Sequence, residues 1–390
     1  MLLPLLLVFA VLATAGWIAR GAEAEPDAFE RQLRAWDHGT VAGVPLPDPE
    51  ARPARVAAFF DGLSEDLRRR LADRYPLVVG NLPGAPVPLR YQANRAALAD
   101  ARDAERRRMH DERLSPTGQR TAGRLMHRYE SMLTDGRQFL SFDPTGRGRA
   151  AEVFGDLERA ERISVVVPGV DTQLLTFERT QGKFHAPSGM GEALYAQERR
   201  LAPGSETAVI AWADYDSPVG MAMSAATSEL AGEGAERLTA AVAALPGSAP
   251  VALFCHSYGS VVCGMAASDL PGRVSDIAVA GSPGMRVSTV TELETPARVW
   301  AMRASDDWIA DVPHLAIGPL GHGTDPADPS FGARLLGTGG AEGHSGYFEP
   351  GAASLRNLAR VGVGTVDDVT CAPGVADCPP LAPCARRASM

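Results

Sequence analysis

Residues 249–260 read APVALFCHSYGS, and the order of residue types in that stretch decides the fold. The run 251–255, VALFC, is short, apolar and bounded, as a fully buried central strand requires. The small and apolar residues 259–267 read as a helix packed close behind it. A serine held in the tight turn between such a strand and helix points its hydroxyl away from the sheet, at the strand's carboxyl end.

The pattern Cys255-His256-Ser257-Tyr258-Gly259 resembles the nucleophile elbow of α/β-hydrolases, G-x-S-x-G, with Cys255 in place of the first glycine. That glycine makes room where strand and helix nearly touch. Cysteine is small enough to substitute, and Gly259 keeps the second position. A bare S-x-G also occurs in plain turns, so the placement between strand and helix carries the signal.

Outward from the elbow, strands alternate with helices. The β-branched run 163–167 is closed by Pro168 and Gly169, and further strands are expected at 208–213, at 276–280 before Gly281-Ser282-Pro283-Gly284, and at 297–302 before Asp306 and Asp307. Helical candidates lie at 190–200, 229–244 and 260–268. The alternation predicts the α/β class, a predominantly parallel sheet with helices on both faces. Upstream, 65–75, 91–110 and 119–133 carry helical periodicity; Ser64 is placed to cap the first of these and Pro76 to stop it, before a turn-rich passage at 77–89. The expected organisation is a helical N-terminal extension, 25–160, packed on an α/β-hydrolase core, 161–365.

The chain has 390 residues, 45% of them hydrophobic, and a formal charge of −9, which gives no reason to expect nucleic acid as a partner. The basic cluster Arg106, Arg107 and Arg108 has acidic neighbours on both sides and reads as a solvated helix face. Residues 1–24 are apolar up to Ala19 and end in Ala22-Glu23-Ala24, a pattern that predicts a signal peptide or membrane anchor and a secreted or membrane-associated, cell-envelope protein. Residues 366–390 read as a flexible Pro-rich tail with Cys371, Cys378 and Cys384, an odd set among which export permits one disulfide. His314 and His322 stand near Asp311 and Asp325 but form no H-E-x-x-H motif, and Gly189-Met190-Gly191 is no dinucleotide fingerprint; neither metal nor cofactor is expected.

A serine hydroxyl is a weak nucleophile and needs a base to take its proton, and a carboxylate to hold the imidazole of that base in one tautomer. The chain supplies these groups in the order Ser257, then Asp306 or Asp307, then His344 in Gly343-His344-Ser345-Gly346. Asp307 is preferred because Asp307-Trp308-Ile309 is similar to the acid loop of many hydrolases, with Asp306 the alternative; adjacency does not decide between them. His314 and His322 compete with His344 as the base, whereas His256 is placed on the packed side of the elbow. The backbone N–H groups of Tyr258 and Val170 are the expected oxyanion donors, with Gly169 providing clearance.

Across 52–363 the chain resembles the actinobacterial-type α/β-hydrolase family catalogued as domain of unknown function 1023. The resemblance rests on Val79-Gly80-Asn81-Leu82, Ala93-Asn94-Arg95, Val167-Pro168-Gly169, His256-Ser257-Tyr258-Gly259-Ser260, Asp307-Trp308-Ile309, and Gly343-His344 followed by Tyr347. It implies a serine-hydrolase fold and the assignment of Ser257, Asp307 and His344 as catalytic. The expectation is an esterase or lipase-like serine hydrolase acting on a small-molecule ester or lipid-like substrate, with membrane association. Amide hydrolysis, acyl transfer, and a non-catalytic cell-envelope binding module on the same scaffold are the alternatives.

Overall fold

The computed structural model describes residues 27–220, 227–318 and 320–375. Six helices precede the sheet: α1 (Ala28–Asp37), α2 (Pro53–Asp61), α3 (Glu65–Arg74), α4 (Pro76–Gly80), α5 (Val87–Arg108) and α6 (Pro116–Met132). Trp36, Val56, Phe60, Leu71, Tyr75 and Val79 give the first of these a core of their own. Pro76 starts α4 rather than merely ending α3, because a proline at the first helical position loses no hydrogen bond. Ser64 precedes α3 in extended conformation, but its side chain makes no capping bond.

The sheet that carries Ser257 has eight strands. In chain order they are β1 (Gln138–Asp143), β2 (Arg149–Phe154), β3 (Arg162–Val167), β4 (Thr207–Ala213), β5 (Val251–His256), β6 (Val274–Ala280), β7 (Arg298–Met302) and β8 (Arg334–Leu335). Their spatial order is β8-β7-β6-β5-β3-β4-β2-β1. The six strands from β8 to β4 in that order are mutually parallel, and β2 and β1 add antiparallel pairings at one edge. The sheet therefore begins inside the stretch expected to be helical through residue 160. Its first two strands form a hairpin whose short segments carry weak period-two patterning.

Along central β5, Val251, Leu253 and Cys255 pack on one face with α8 (Glu229–Ala243) and α9 (Gly259–Ala266), whereas Ala252 and Phe254 pack on the other with α7 (Pro187–Leu201) and α10 (Ala353–Val363). Alternate side chains of a strand point to opposite faces, so an unbroken apolar run is what a strand between two helical layers needs. Each fully buried Val, Leu or Phe contributes roughly 1.5–3 kcal/mol.

Two asparagines dock the helical extension on edge strand β1. Asn81 donates from Nδ2 to the Phe142 carbonyl at 2.7 Å and accepts the Phe142 N–H at 3.0 Å. Asn94 donates to both the Gly80 and Phe139 carbonyls, at 3.0 and 2.8 Å. A Cβ on Gly80 would lie 2.0 Å from Asn94 Oδ1, so this contact requires glycine. The edge is thereby covered instead of being left to pair with another chain.

At the opposite edge, Leu336 bridges Cys371, and the Gly337 N–H donates to the Thr370 carbonyl at 2.8 Å. The first part of the expected flexible tail, through residue 375, is thus bound to the sheet. Cys371 is itself disulfide-bonded, and the rest of the tail lies outside the described residues. Cys255 does more than stand in for a small residue: it forms a disulfide with Cys263, tying the end of β5 to α9.

The expected signal peptide or anchor at 1–24 also lies outside the described residues. Among the described residues, no helix is long and apolar enough to cross a membrane. The described residues thus give no support for a membrane anchor, and the expectation of a secreted or membrane-associated, cell-envelope protein is not retained.

Candidate active site

The carboxyl ends of four parallel strands bring the site together. Ser257 follows β5, with φ of +53°, a backbone conformation that costs an L-residue of order 1 kcal/mol or more and is held by packing around it. The Ser257 N–H donates to the Ala280 carbonyl at 3.0 Å, and the Ser260 hydroxyl donates to the Ser257 carbonyl at 2.6 Å. Close approach enforces small residues nearby. A Cβ on Gly259 would sit 2.2 Å from the Val167 carbonyl oxygen, and one on Gly169 would sit 2.6 Å from the Ser257 Cβ.

Asp307 follows β7 and His344 lies in the loop between β8 and α10. The His344 Nδ1 meets Asp307 Oδ1 at 2.8 Å, and its Nε2 meets Ser257 Oγ at 2.8 Å. An ionised carboxylate only accepts hydrogen bonds, so Nδ1 carries the proton and Nε2 is left to accept from the serine hydroxyl. Asp307 is buried. Burial opposes its charge, but donors from His344, Tyr347 and the Ile309 N–H outweigh that and hold its carboxyl below the usual range. The Tyr347 hydroxyl donates to Asp307 Oδ2 at 2.5 Å, and the Ile309 N–H donates to Oδ1 at 2.9 Å.

Asp306 faces elsewhere: its Oδ2 accepts the Gly343 N–H at 2.9 Å, tethering the loop that carries His344. His256 lies beneath that loop, buried, and its Nε2 donates to the His344 carbonyl at 2.6 Å. Burial, together with the neighbouring His344, lowers the His256 pKa to about 4, so the ring is a neutral donor. These two supporting contacts were not legible in the sequence, beyond the adjacency of the residues to their better-recognised neighbours.

The other late histidines sit apart from this chain of contacts. His314 Nδ1 donates to the Pro283 carbonyl at 3.0 Å, and the His322 ring packs edge-on against Tyr258 at 5.6 Å between centroids. His322 instead lines a cavity of about 250 Å³ with Val170, Ser257, Tyr258, Trp308, Ile309 and Val312. The N–H groups of Tyr258 and Val170 make no hydrogen bond with another group among the described residues. Both residues border the cavity beside Ser257. Among the described residues, no group of three or more His, Cys, Asp or Glu side chains is arranged to hold a metal ion.

Sheet order, helices on both faces and the strand–turn–helix around Ser257 together define an α/β-hydrolase fold. Comparison with known families agrees: a family described as alpha/beta hydrolase matches residues 143–317, a span that contains Val170, Ser257, Tyr258 and Asp307 and ends before His344. This corrects the expected assignment to domain of unknown function 1023 over 52–363; the matching family is the alpha/beta hydrolase one, over the shorter span. An uncharacterized protein of Mycobacterium tuberculosis, Rv2079, is 26% identical over 381 residues, covering 83% of this chain and 57% of its own. The uncharacterized protein Mb0988c of Mycobacterium bovis is 29% identical over 170 residues, covering 42% of this chain and 62% of its own. The chain thus spans less than two thirds of the length of the curated relatives it matches. Among solved structures, dipeptidyl peptidase 4 of Porphyromonas gingivalis is similar at a TM-score of 0.28 and 14% identity, over 44% of this chain and 28% of that one.

Proposed function

We propose that this protein is a serine hydrolase of carboxylic esters, working through an acyl-serine intermediate. The observation that carries the reading is the unbroken hydrogen-bonded series Ser257 Oγ, His344 Nε2, His344 Nδ1 and Asp307 Oδ1, with both links at 2.8 Å. In this reading Ser257 Oγ attacks the ester carbonyl carbon while its proton passes to His344 Nε2. The Tyr258 and Val170 N–H groups receive the oxyanion. Collapse breaks the bond to the alcohol oxygen, which leaves with the proton from His344. Water then loses a proton to His344 and attacks the acyl carbon, and Ser257 recovers that proton as the carboxylic acid departs. Asp307 keeps the imidazole oriented and stabilises its cationic form throughout.

The test is labelling with a fluorophosphonate, located by peptide mass, beside Ser257→Ala and heat-unfolded controls. Labelling of folded protein at Ser257 alone supports an activated serine. Absence of labelling in demonstrably folded protein overturns the hydrolase reading.

A further inference from the structure

Six large apolar side chains are strongly exposed among the described residues; three of them lie on segments that border the cavity beside Ser257, and a fourth lies on a loop bonded to the residue after Val170. Trp308 is 44% exposed and lines the cavity itself. Leu315 and Leu320, at 64% and 45%, flank the same wall through Pro313, Gly321 and His322. Val219, at 55%, sits in a loop fastened to the residue after Val170: the Asp171 N–H donates to the Pro218 carbonyl and Asp171 Oδ1 accepts the Gly220 N–H, both at 2.8 Å. Isolated exposed apolar residues need no explanation, whereas this concentration at one mouth does.

Leu320 lies in a two-stranded hairpin, Ala316–Ile317 paired with Leu320–Gly321, that Arg286 holds in place through its side chain and its backbone. Arg286 donates to the Gly318 carbonyl at 2.7 Å and to the Gly321 carbonyl at 2.5 Å, and its own N–H donates to the His322 carbonyl at 2.6 Å. An apolar wall fixed by three backbone contacts is pre-organised to receive a ligand, which reduces the cost of ordering it on binding.

Position relative to the imidazole decides which half of an ester belongs there. The leaving alcohol must lie beside His344 to receive its proton. The cavity touches Ser257 and the two oxyanion-donor residues, but His344 is not among its lining residues. Its wall at Trp308 packs against the imidazole, with ring centroids 4.5 Å apart, so its placement on the acyl side rests on its contact with Ser257 and the two oxyanion-donor residues. At ~30 Å³ per water-sized group, a volume of about 250 Å³ holds on the order of eight such groups, so a longer chain emerges across the exposed rim.

Resting on the proposed hydrolase chemistry, we infer that the cavity and its rim of Val219, Leu315 and Leu320 bind the unbranched acyl chain of medium- to long-chain carboxylic esters. Such a chain fills the apolar wall at Ile309 and Val312 and continues over the rim. Each methylene removed from water there can favour binding by up to about fourfold.

The experiment measures kcat/KM of the full chain for p-nitrophenyl esters from acetate to dodecanoate, keeping the leaving group constant. The expected result is a rise of more than tenfold from acetate to octanoate or decanoate. In the Leu315→Ser/Leu320→Ser double variant the ratio of decanoate to acetate kcat/KM falls roughly five- to tenfold, and in Val312→Phe the preferred chain shortens. A wild-type preference for acetate, or ratios and optima that the variants leave unmoved, overturns the inference. Fluorophosphonate labelling separates the two levels: labelled Ser257 with an acetate preference removes only the acyl-chain assignment, whereas an unlabelled folded protein removes the hydrolase reading beneath it.

Discussion

The neutral His256 ring donates a 2.6 Å hydrogen bond to the backbone carbonyl of His344, so the residue before the serine supports the loop that brings the imidazole to it. Losing this donor leaves a partly buried carbonyl without that partner and loosens the loop. His256→Ala is expected to lower kcat roughly tenfold with a smaller effect on KM, and His256→Gln to recover part of the loss. Steady-state kinetics of both variants checks this.

The same residue has a signature in stability. With the His256 pKa lowered from 6.5 to about 4 by burial, the unfolded chain binds more protons than the folded one between those values. This contribution makes stability rise with pH from about 4 to 6.5, by on the order of 3 kcal/mol, and it is lost as pH falls through that window. His256→Gln is expected to flatten the dependence of Tm on pH there; an unchanged slope would contradict the assignment.

Glu198 acts with the opposite sign. It is buried with its Oε1 accepting the Ser164 hydroxyl at 2.5 Å, and burial raises its pKa to about 8. Folding is favoured by the protonated acid, so its contribution is present below the ordinary carboxylate pKa and is lost as pH rises through about 8. Glu198→Gln is therefore expected to match wild type in melting temperature near pH 4 and to exceed it by a margin that widens as pH rises from about 4.5 to about 8.

Asp306 and Asp307 are expected to separate cleanly. Asp307→Asn removes the group that fixes the imidazole tautomer and should lower kcat on the order of 10⁴-fold. Asp306→Asn keeps an oxygen able to accept the Gly343 N–H and should stay within about threefold of wild type. Kinetics with one activated ester distinguishes the two.

The disulfide between Cys255 and Cys263 closes a short loop around the elbow, with a separation of 8 residues. On loop-closure entropy, replacing both cysteines by alanine is expected to cost about 2–3 kcal/mol of stability. Denaturant unfolding of the double variant measures it, provided fluorophosphonate labelling shows the serine still in place.

The sequence by itself determined the elements whose evidence is local: the apolar run of β5, the turn at Ser257, the helix behind it and the alternation that makes a parallel sheet. Burial on both faces and tight turns demand particular residue types at consecutive positions, so these features can be read from a short window. The chain order of Ser257, an aspartate at 306 or 307, and His344 could be read from the sequence too, because each follows or precedes a recognisable element. Only the tertiary structure decided which aspartate faces the imidazole, since adjacent residues leave a loop in different directions and the loop's path depends on distant packing. It also decided that β1 and β2 join the sheet, that Asn81 and Asn94 fasten the helical extension to it, and that Cys255 bonds Cys263. Those are contacts between surfaces brought together by folding, and their energies depend on distances that residue order alone does not specify.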